Sequence, residues 1–428
     1  GTGIPVNLSF AKATIKTTAS DISVSELRLN RPNRLYVEPG ETIDISFGHN
    51  GDHAMTATVA YVGTSDIGLQ LEQDQLSDRE LDRLVASVPG WRRRVRRGQR
   101  QLWQYARRLG VLAANTWLRP AIISLVKPRF VFAVYGNEKD AETYFTPGLV
   151  KHMPPNLVLG FIRNQHVRGL LVASQSLENA LQEDSQKVRD YIDELHRDFP
   201  DVERIALVGR LPNFVKKAGI EIKAPLVEGS LGTRYMIWDV ARQMRERPEF
   251  GQYNSIVVLG GAGRIGNAVC EDLTSLYDRV IALDPRYENE TELETGRGTV
   301  LRTADVSRLE HEHLYIGLTH HGDVVLEFYQ HMPAGAMIAD DTHPCISLGA
   351  RERLAASGIT VEKVVLSHDE FLMWPRMPAW NNRAIPGCLV EALVLLQRPD
   401  LDGSDFLSFC RQAESMGFAG RLIRPLEE

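Results

Sequence analysis

Residues 255–284 read SIVVLGGAGRIGNAVCEDLTSLYDRVIALD, and this stretch decides the fold of the C-terminal part of the chain. An apolar run, Ser255–Leu259, leads into a glycine-rich turn. A helical pattern follows, and a second apolar run ends at Asp284. The order of strand, glycine turn, helix, strand and acid is typical of a dinucleotide-binding unit. We therefore expect an α/β region with a Rossmann-type parallel sheet.

The glycine turn supplies the expected cofactor contacts. Gly261 permits the tight turn, Gly263 lets the backbone approach a pyrophosphate at the helix N-terminus, and Gly266 lets helix and strand pack closely. Asp284 is expected to bind a ribose 2′-hydroxyl, which favours NAD over NADP, whereas the nearby Arg286 weakens that preference. The expected contacts are Gly261, Gly263, Arg264, Ile265, Gly266, Asp284, Arg286 and Thr319.

Length and composition limit the function classes. A chain of 428 residues with 43% hydrophobic residues predicts two or three domains with buried cores. The net charge of −6 argues against a nucleic-acid partner. The four cysteines form no CxxC pair, which favours a reducing, cytoplasmic compartment. The longest apolar stretch, residues 109–126, is interrupted by polar residues and a proline, so we expect no membrane span.

Residues 1–75 predict a small β-barrel, because short β-prone runs alternate with turn residues. The runs are Val6–Phe10, Thr14–Thr17, Leu35–Val37, Ile43–Phe47, Ala57–Val62 and Gly68–Leu71.

The same region resembles a PilZ domain in Asp21-Ile22-Ser23, Glu38-Pro39-Gly40-Glu41, Thr56–Val62 and Ile67-Gly68-Leu69-Gln70-Leu71. PilZ domains usually bind cyclic di-GMP through an RxxxR motif followed by [D/N]xSxxG. Here Glu26 replaces the motif's glycine, and no arginine precedes Arg28. The resemblance therefore implies a degenerate PilZ-like barrel that contacts proteins and lacks a phosphate clamp.

Residues 76–127 predict a basic helical linker. Within them, residues 91–119 carry nine arginines and no acid. One interpretation is a helix that docks its apolar face internally and presents arginines to solvent or to an acidic partner protein. The other is an amphipathic helix on an anionic membrane surface, peripheral to the inner membrane. The apolar face consists of Trp91, Val95, Leu102, Tyr105, Leu109 and Leu112.

The remainder predicts an α/β substrate-side domain at 128–230 and a Rossmann domain with C-terminal helices at 231–428. Polar residues follow two apolar runs of the second domain, at His320 and at Asp341 and His343. Ligands bind beyond the carboxyl ends of parallel strands, so these three residues are expected on the substrate or nicotinamide side. Their spacing matches no metal motif, and we expect no metal there.

Cys388 follows Pro386 and Gly387, which mark a helix start. A cysteine in the first helical turn has a lowered pKa and can act as a nucleophile. Its apolar neighbours Leu389 and Val390, taken alone, favour an inert core residue.

Residues from about 157 to 420 resemble long-chain acyl-ACP reductases, which form fatty aldehydes from acyl thioesters. The resemblance lies in four ordered motifs of this chain, Thr233-Arg234-Tyr235-Met236, Ile256–Leu273, Ile338-Ala339-Asp340-Asp341-Thr342-His343-Pro344 and Cys388-Leu389-Val390-Glu391-Ala392. It implies an acyl-enzyme on Cys388 that is reduced by hydride, with an acyl carrier protein as partner. The family favours NADPH, whereas Asp284 favours NADH.

Two functions follow from the sequence. The first is an NAD(P)-dependent oxidoreductase that reduces an acyl thioester or another small molecule. The alternative is a non-catalytic, regulatory scaffold of a membrane-associated bacterial system, because PilZ-like modules and basic helices occur there.

Overall fold

A computed structural model describes residues 4–10, 13–22, 26–30, 41–47, 53–62, 66–71, 106, 108–136, 153–342, 344–375, 384–401 and 405–423. The chain divides into two compact units, Gly1–Arg107 and Arg108–Glu428. Apart from Ala106, residues 91–107 of the expected arginine-rich helix lie outside the described residues.

The N-terminal unit is a closed antiparallel barrel with the strand order β1-β2-β3-β6-β5-β4. Pairing of β1 with β4 closes it, so no strand edge is left unpaired. Apolar residues at every second position point inward, as in the pairs Val6 and Leu8, and Ile43 and Ile45. The strands are β1 Ile4–Phe10, β2 Ala13–Ile22, β3 Glu26–Asn30, β4 Thr42–Phe47, β5 His53–Val62 and β6 Asp66–Leu71.

The sequence patterns missed one barrel strand. Strand β3 carries Leu27 and Leu29 on its buried side, an alternation too short to stand out between charged residues. The expected strand at Leu35–Val37 lies outside the described residues. The PilZ resemblance stays a prediction.

The C-terminal unit begins with two helices, α1 Arg108–Asn115 and α2 Arg119–Val126. By length and apolar character, no single helix of the described residues suffices to cross a membrane. Helices α1 and α2 are long and apolar enough only when they are counted as one segment, and that segment is bent by 80° at the break between them.

Two sheets follow. The strands are β7 Phe130–Val134, β8 Asn156–Asn164, β9 Val167–Ser174, β10 Arg204–Leu207, β11 Leu226–Val227, β12 Ser255–Leu259, β13 Arg279–Leu283, β14 Thr291–Glu294, β15 Thr299–Thr303, β16 Leu314–Gly317, β17 Met337–Asp340, β18 Thr360–Ser367, β19 Phe371–Trp374 and β20 Ala419–Ile423. The helices are α3 Glu178–Glu183, α4 Ser185–Asp198, α5 Leu211–Lys217, α6 Ser230–Glu246, α7 Arg264–Leu273, α8 Leu348–Ala356, α9 Gly387–Gln397 and α10 Phe406–Ser415.

The first sheet has the order β11-β10-β7-β9-β8-β19. Strands β11, β10, β7 and β9 are parallel. Strand β8 pairs antiparallel with β9, and β19 pairs antiparallel with β8. Helix α4 packs with Val188, Tyr191, Ile192 and Leu195 buried, which is the spacing of one helical face.

The second sheet has the order β14-β15-β13-β12-β16-β17-β18-β20. The six inner strands are parallel, and counted along the chain they stand in the order 3-2-1-4-5-6. That is the order of the doubly wound dinucleotide-binding fold. The edge strands β14 and β20 are antiparallel. The expected Rossmann-type sheet is thus present.

The chain returns to the first sheet after building most of the second. Strand β19 pairs with β8, Phe371 opposite Asn164, although the expected boundary placed it in the nucleotide domain at 231–428. Helix α9 contacts β10, β7 and β11 of the first sheet, whereas α6 contacts α7 and β18 of the second. The two α/β domains are therefore interleaved in sequence.

Helices α6 and α9 join the two sheets by packing directly on each other. A Cβ atom on Gly232 would lie 2.0 Å from the carbonyl oxygen of Gly387. A Cβ atom on Gly387 would lie 2.6 Å from the Cα of Thr233. Only glycine at both positions allows this approach of the two backbones.

We predict that Gly232→Ala destabilises the C-terminal unit by about 1–3 kcal/mol, because the added methyl group must push α9 away from α6. Gly110→Ala is the matched control: it lies in exposed α1 with no atom within 4 Å of the added Cβ. The control should be neutral or stabilising by up to about 1 kcal/mol. Urea unfolding followed by circular dichroism measures both, and equal midpoints for the two variants would contradict the prediction.

Candidate functional site

The glycine loop lies where the strand order of the second sheet reverses. It connects β12 to α7, and β12 has β13 on one side and β16 on the other. The N–H groups of Gly260 and Gly261 donate to the carbonyl oxygen of Leu283, at 2.9 and 3.2 Å. This holds the loop against the end of β13. The switch point of such a sheet is where dinucleotides bind.

Three loop positions require glycine for different reasons. Gly260 has a φ of +88°, and its Cβ would lie 2.7 Å from the carbonyl oxygen of Leu318. A Cβ on Gly261 would lie 2.7 Å from that of Ala282, and one on Gly266 would lie 2.2 Å from the carbonyl oxygen of Gly260. The sequence analysis named Gly261 and Gly266 but overlooked Gly260, although it stands directly before the motif.

Gly263 differs from these three. A Cβ atom on Gly263 would lie 3.1 Å from the carbonyl oxygen of Gly260, and the next nearest atom would be 3.8 Å away. Gly263 is the N-cap of α7, and no side chain caps that helix start within the described residues. The first-turn N–H groups, including those of Arg264 and Ile265, therefore lack a side-chain acceptor. Such a glycine-lined helix start fits an anionic pyrophosphate.

Asp284 lies directly after β13 and is buried. One oxygen accepts from the backbone N–H and Nε of Arg286, at 3.0 and 2.9 Å. The other accepts from Nη2 of Arg286 at 2.8 Å and from the N–H of Ala262 at 3.1 Å. Burial acts to raise the pKa of Asp284, but these hydrogen bonds outweigh it and lower the pKa. The carboxylate is thus ionised and already occupied by an arginine.

The ends of β16 and β17 carry the residues expected on the nicotinamide side. Thr319 donates through its hydroxyl to the carbonyl oxygen of His321, and His320 is exposed. The backbone N–H of Asp341 donates to Gly317, which ties the two strand ends together at 3.0 Å. His343 lies outside the described residues.

Asp340 and Asp341 have different environments. Asp340 is buried and accepts from Thr342 and from the N–H of Ile346, so it organises the loop after β17. Asp341 is partly exposed, and no hydrogen bond to its carboxyl group is found among the described residues. Burial of the carboxyl group, with the neighbouring Asp340, raises the pKa of Asp341 to about 8. The raised pKa favours the protonated form of Asp341 more than in an ordinary aspartate.

Cys388 lies in the first turn of α9, as its sequence context predicted. Its Cβ borders Gly229, where an added Cβ would lie 2.3 Å away, and the N–H of Gly209 donates to its sulfur. Gly209 and Gly229 follow β10 and β11. Cys388 therefore lies at the carboxyl edge of the first sheet.

The expected lowering of the thiol pKa is contradicted. Burial raises the pKa of Cys388 to about 12, and the hydrogen bond from Gly209 only partly opposes this. The helix start favours a thiolate, but desolvation has the larger effect on the pKa. The raised pKa favours the neutral thiol, while the Cys388 side chain as a whole is half-buried.

Glu391 lies one turn after Cys388 and was not singled out in the sequence. Its buried carboxylate accepts from the N–H groups of Leu231 and Gly232, at 2.5 and 3.2 Å. It thereby caps the start of α6, whose own N-cap is a glycine. Burial raises the pKa of Glu391 to about 7, although these backbone donors act to lower it.

The ion pair between Glu228 and Arg264 connects the carboxyl edge of the first sheet to the glycine loop of the second. Glu228, next to Gly229, accepts from Arg264 in the first turn of α7 and from Lys216 at 2.8 Å. The structure thus brings the glycine loop near the sheet edge that carries Cys388. Within the described part of the chain, no three His, Cys, Asp or Glu side chains cluster as metal ligands.

Comparisons with known proteins add little to this geometry. No protein-family model matches the chain, and no curated protein matches its sequence. The structure has distant similarity to L-tryptophan dehydrogenase from Nostoc punctiforme (12% identity, 68% of this chain and 79% of that chain, TM-score 0.32). Others are D-mandelate dehydrogenase from Rhodotorula graminis (11%, 55% and 81%, 0.26) and the quinone oxidoreductase from Thermus thermophilus (14%, 48% and 69%, 0.23). These scores are too low to support an argument, so the fold assignment depends on strand order.

We predict a pH-dependent contribution of Glu391 to stability. Its pKa is about 7 when folded and 4.5 in its ordinary state, so the contribution is complete below pH 4.5 and is lost as pH rises through 7. The free energy of unfolding of the wild type minus that of Glu391→Gln should fall by roughly 3 kcal/mol between these limits. Urea titrations at a series of pH values measure this difference, and a constant difference would contradict it.

Proposed function

We propose that residues 108–423 form an NAD(P)-dependent oxidoreductase with its dinucleotide at the Gly260–Gly266 loop. The observation that carries this is the position of the loop between β12 and β16, in front of the uncapped start of α7. The nicotinamide, when bound, supplies or accepts a hydride. The substrate would bind near the carboxyl edge of the first sheet, which Glu228 connects to the loop.

Asp341 is the proposed proton donor. Reduction of a carbonyl group leaves an alkoxide oxygen that must be protonated. Asp341 follows β17, two strands from the glycine loop, and its raised pKa favours the protonated form. Thr319 and His320, at the end of the intervening strand, are the proposed neighbours of the nicotinamide.

Reduction of an acyl thioester is the more specific form of this proposal. The Cys388 sulfur would attack the thioester carbonyl, and the carrier thiol would leave with the thiol proton. Hydride would then release an aldehyde and the Cys388 thiolate, which takes a proton from solvent to regenerate the thiol. The place of Cys388 at the sheet edge supports this sequence, whereas its raised pKa opposes it. The alternative of a non-catalytic, regulatory scaffold predicts no turnover, whether or not its Rossmann domain binds a dinucleotide as a sensed ligand.

The experiment that tests the proposal is calorimetric titration of NADH and NADPH into wild type and Gly263→Val. The valine side chain would extend into the space where the pyrophosphate approaches, so we expect at least about a hundredfold loss of affinity. The native circular dichroism spectrum should be retained. Equal affinities would place any dinucleotide elsewhere, and no binding to the wild type would favour the scaffold.

Cofactor choice gives a second prediction. We expect the wild type to prefer NADH, as the carboxylate at residue 284 predicts. Arg286→Ala should strengthen that preference roughly tenfold, because it frees Asp284 for the ribose hydroxyl and removes the cation nearest a 2′-phosphate. Asp284→Ser should shift the preference toward NADPH. Calorimetry with both nucleotides measures the ratio, and tighter NADPH binding to the wild type would contradict the assignment of Asp284.

The thiol gives a third prediction. With a pKa of about 12, Cys388 should label slowly with iodoacetamide near neutral pH, and its rate should rise about tenfold per pH unit up to pH 10. Peptide mass spectrometry follows the site, with Cys388→Ser as the control for peptide assignment. A rate that levels off near pH 7 would mean a thiolate and would support the acyl-enzyme.

A further inference from the structure

Helices α1 and α2 and the turn between them carry a concentration of exposed apolar side chains. Seven large hydrophobic side chains are exposed among the described residues, and four of them lie in the stretch between residues 109 and 125. Trp117 is 86% exposed and Leu125 is 79% exposed. The other two are Leu109 and Leu118. Water-exposed apolar groups concentrated in one short segment indicate an interaction surface.

The opposite side of this segment is fixed to the α/β unit. Asn115 is buried, donates to the carbonyl oxygen of Val158 at 3.0 Å and accepts from the N–H of Val158 at 2.6 Å. It therefore bonds to strand β8 as a neighbouring backbone would. Val111, one turn earlier, is buried beside it. Leu109, which belongs to the apolar face expected from the sequence, is itself 63% exposed, so these contacts fix the segment by its other side.

Arg119 makes its contacts within the C-terminal unit, so it helps to fix the segment and is not a free cation beside the exposed apolar side chains. It pairs with Asp198 and donates to the carbonyl oxygen of Asn156 at 2.8 Å. Burial lowers its pKa, although Asp198 acts to raise it. Arg119 is thus occupied within the protein.

The charge of the flanking sequence selects the partner. From Arg83 to Asn137 the chain contains no aspartate or glutamate, and six arginines lie between residues 92 and 100. Lys127, which follows α2, is exposed. A tryptophan and leucines beside a cationic segment match the interface of an anionic bilayer, where apolar groups enter the headgroup region and cations contact phosphates.

We infer that residues 109–126 dock the protein on the surface of an anionic membrane. The segment lies on the surface and does not span it, because its two helices are bent by 80° and anchored to β8. This inference is independent of the proposed catalytic function.

Flotation of the full chain with lipid vesicles tests the inference. We expect binding to vesicles that contain phosphatidylglycerol, weak binding to pure phosphatidylcholine, and loss of binding at high salt. Trp117→Ser with Leu125→Ser should reduce the partition coefficient at least about tenfold. Leu293→Ser with Leu372→Ser is the matched control, since these exposed leucines lie outside the segment.

Four outcomes would overturn the inference. They are no binding to anionic vesicles, binding that the Trp117 and Leu125 substitutions leave unchanged, equal loss in the control variant, and binding to an acidic polypeptide such as polyglutamate without binding to vesicles. All substituted residues are exposed, so native circular dichroism spectra are expected for both variants and confirm that folding is not the cause.

Discussion

The close contact of α6 with α9 is the constraint on which the site depends. Gly232 and Gly387 allow the two backbones to touch, and Glu391 then reaches the start of α6. Because α6 packs on the second sheet and α9 on the first, this contact sets the relation between the two α/β domains. It also places Cys388 in its tight packing against Gly229. The packing of α6 on α9 thus sets both the position of Cys388 at the sheet edge and its surroundings.

Local sequence was sufficient where the structure depends on neighbouring residues. The bounds of β12, the glycine loop and the start of α9 at Gly387 follow from apolar runs, glycines and a proline that act within a few residues. The place of β19 was not predictable in this way. It joins β8 across about two hundred residues of chain, and its short apolar run contains no information about that partner.

In the candidate site, too, local sequence predicted the positions of residues but not the contacts that they make. Asp284 was expected from its spacing and lies at the end of β13, but its oxygens are held by Arg286 and Ala262. The sequence shows Arg286 two residues after Asp284, but it does not show that the guanidinium group folds back onto the carboxylate. Cys388 was expected to be a thiolate because helix starts favour negative charge. The opposing effect, desolvation of the thiol, arises only from tertiary packing and is the larger one.

The three aspartates at the strand ends have different environments. Asp284 is ionised beside a guanidinium, and Asp340 is saturated by hydrogen bonds. The pKa of Asp341 is raised because burial and the neighbouring Asp340 outweigh the attraction of Lys363 for its ionised form. A site that transfers hydride to a carbonyl group needs one protonated acid near the reacting oxygen and no ionised group competing for it. The raised pKa of Asp341 fits that condition, and it is the reason why the proposed function assigns the proton to this residue.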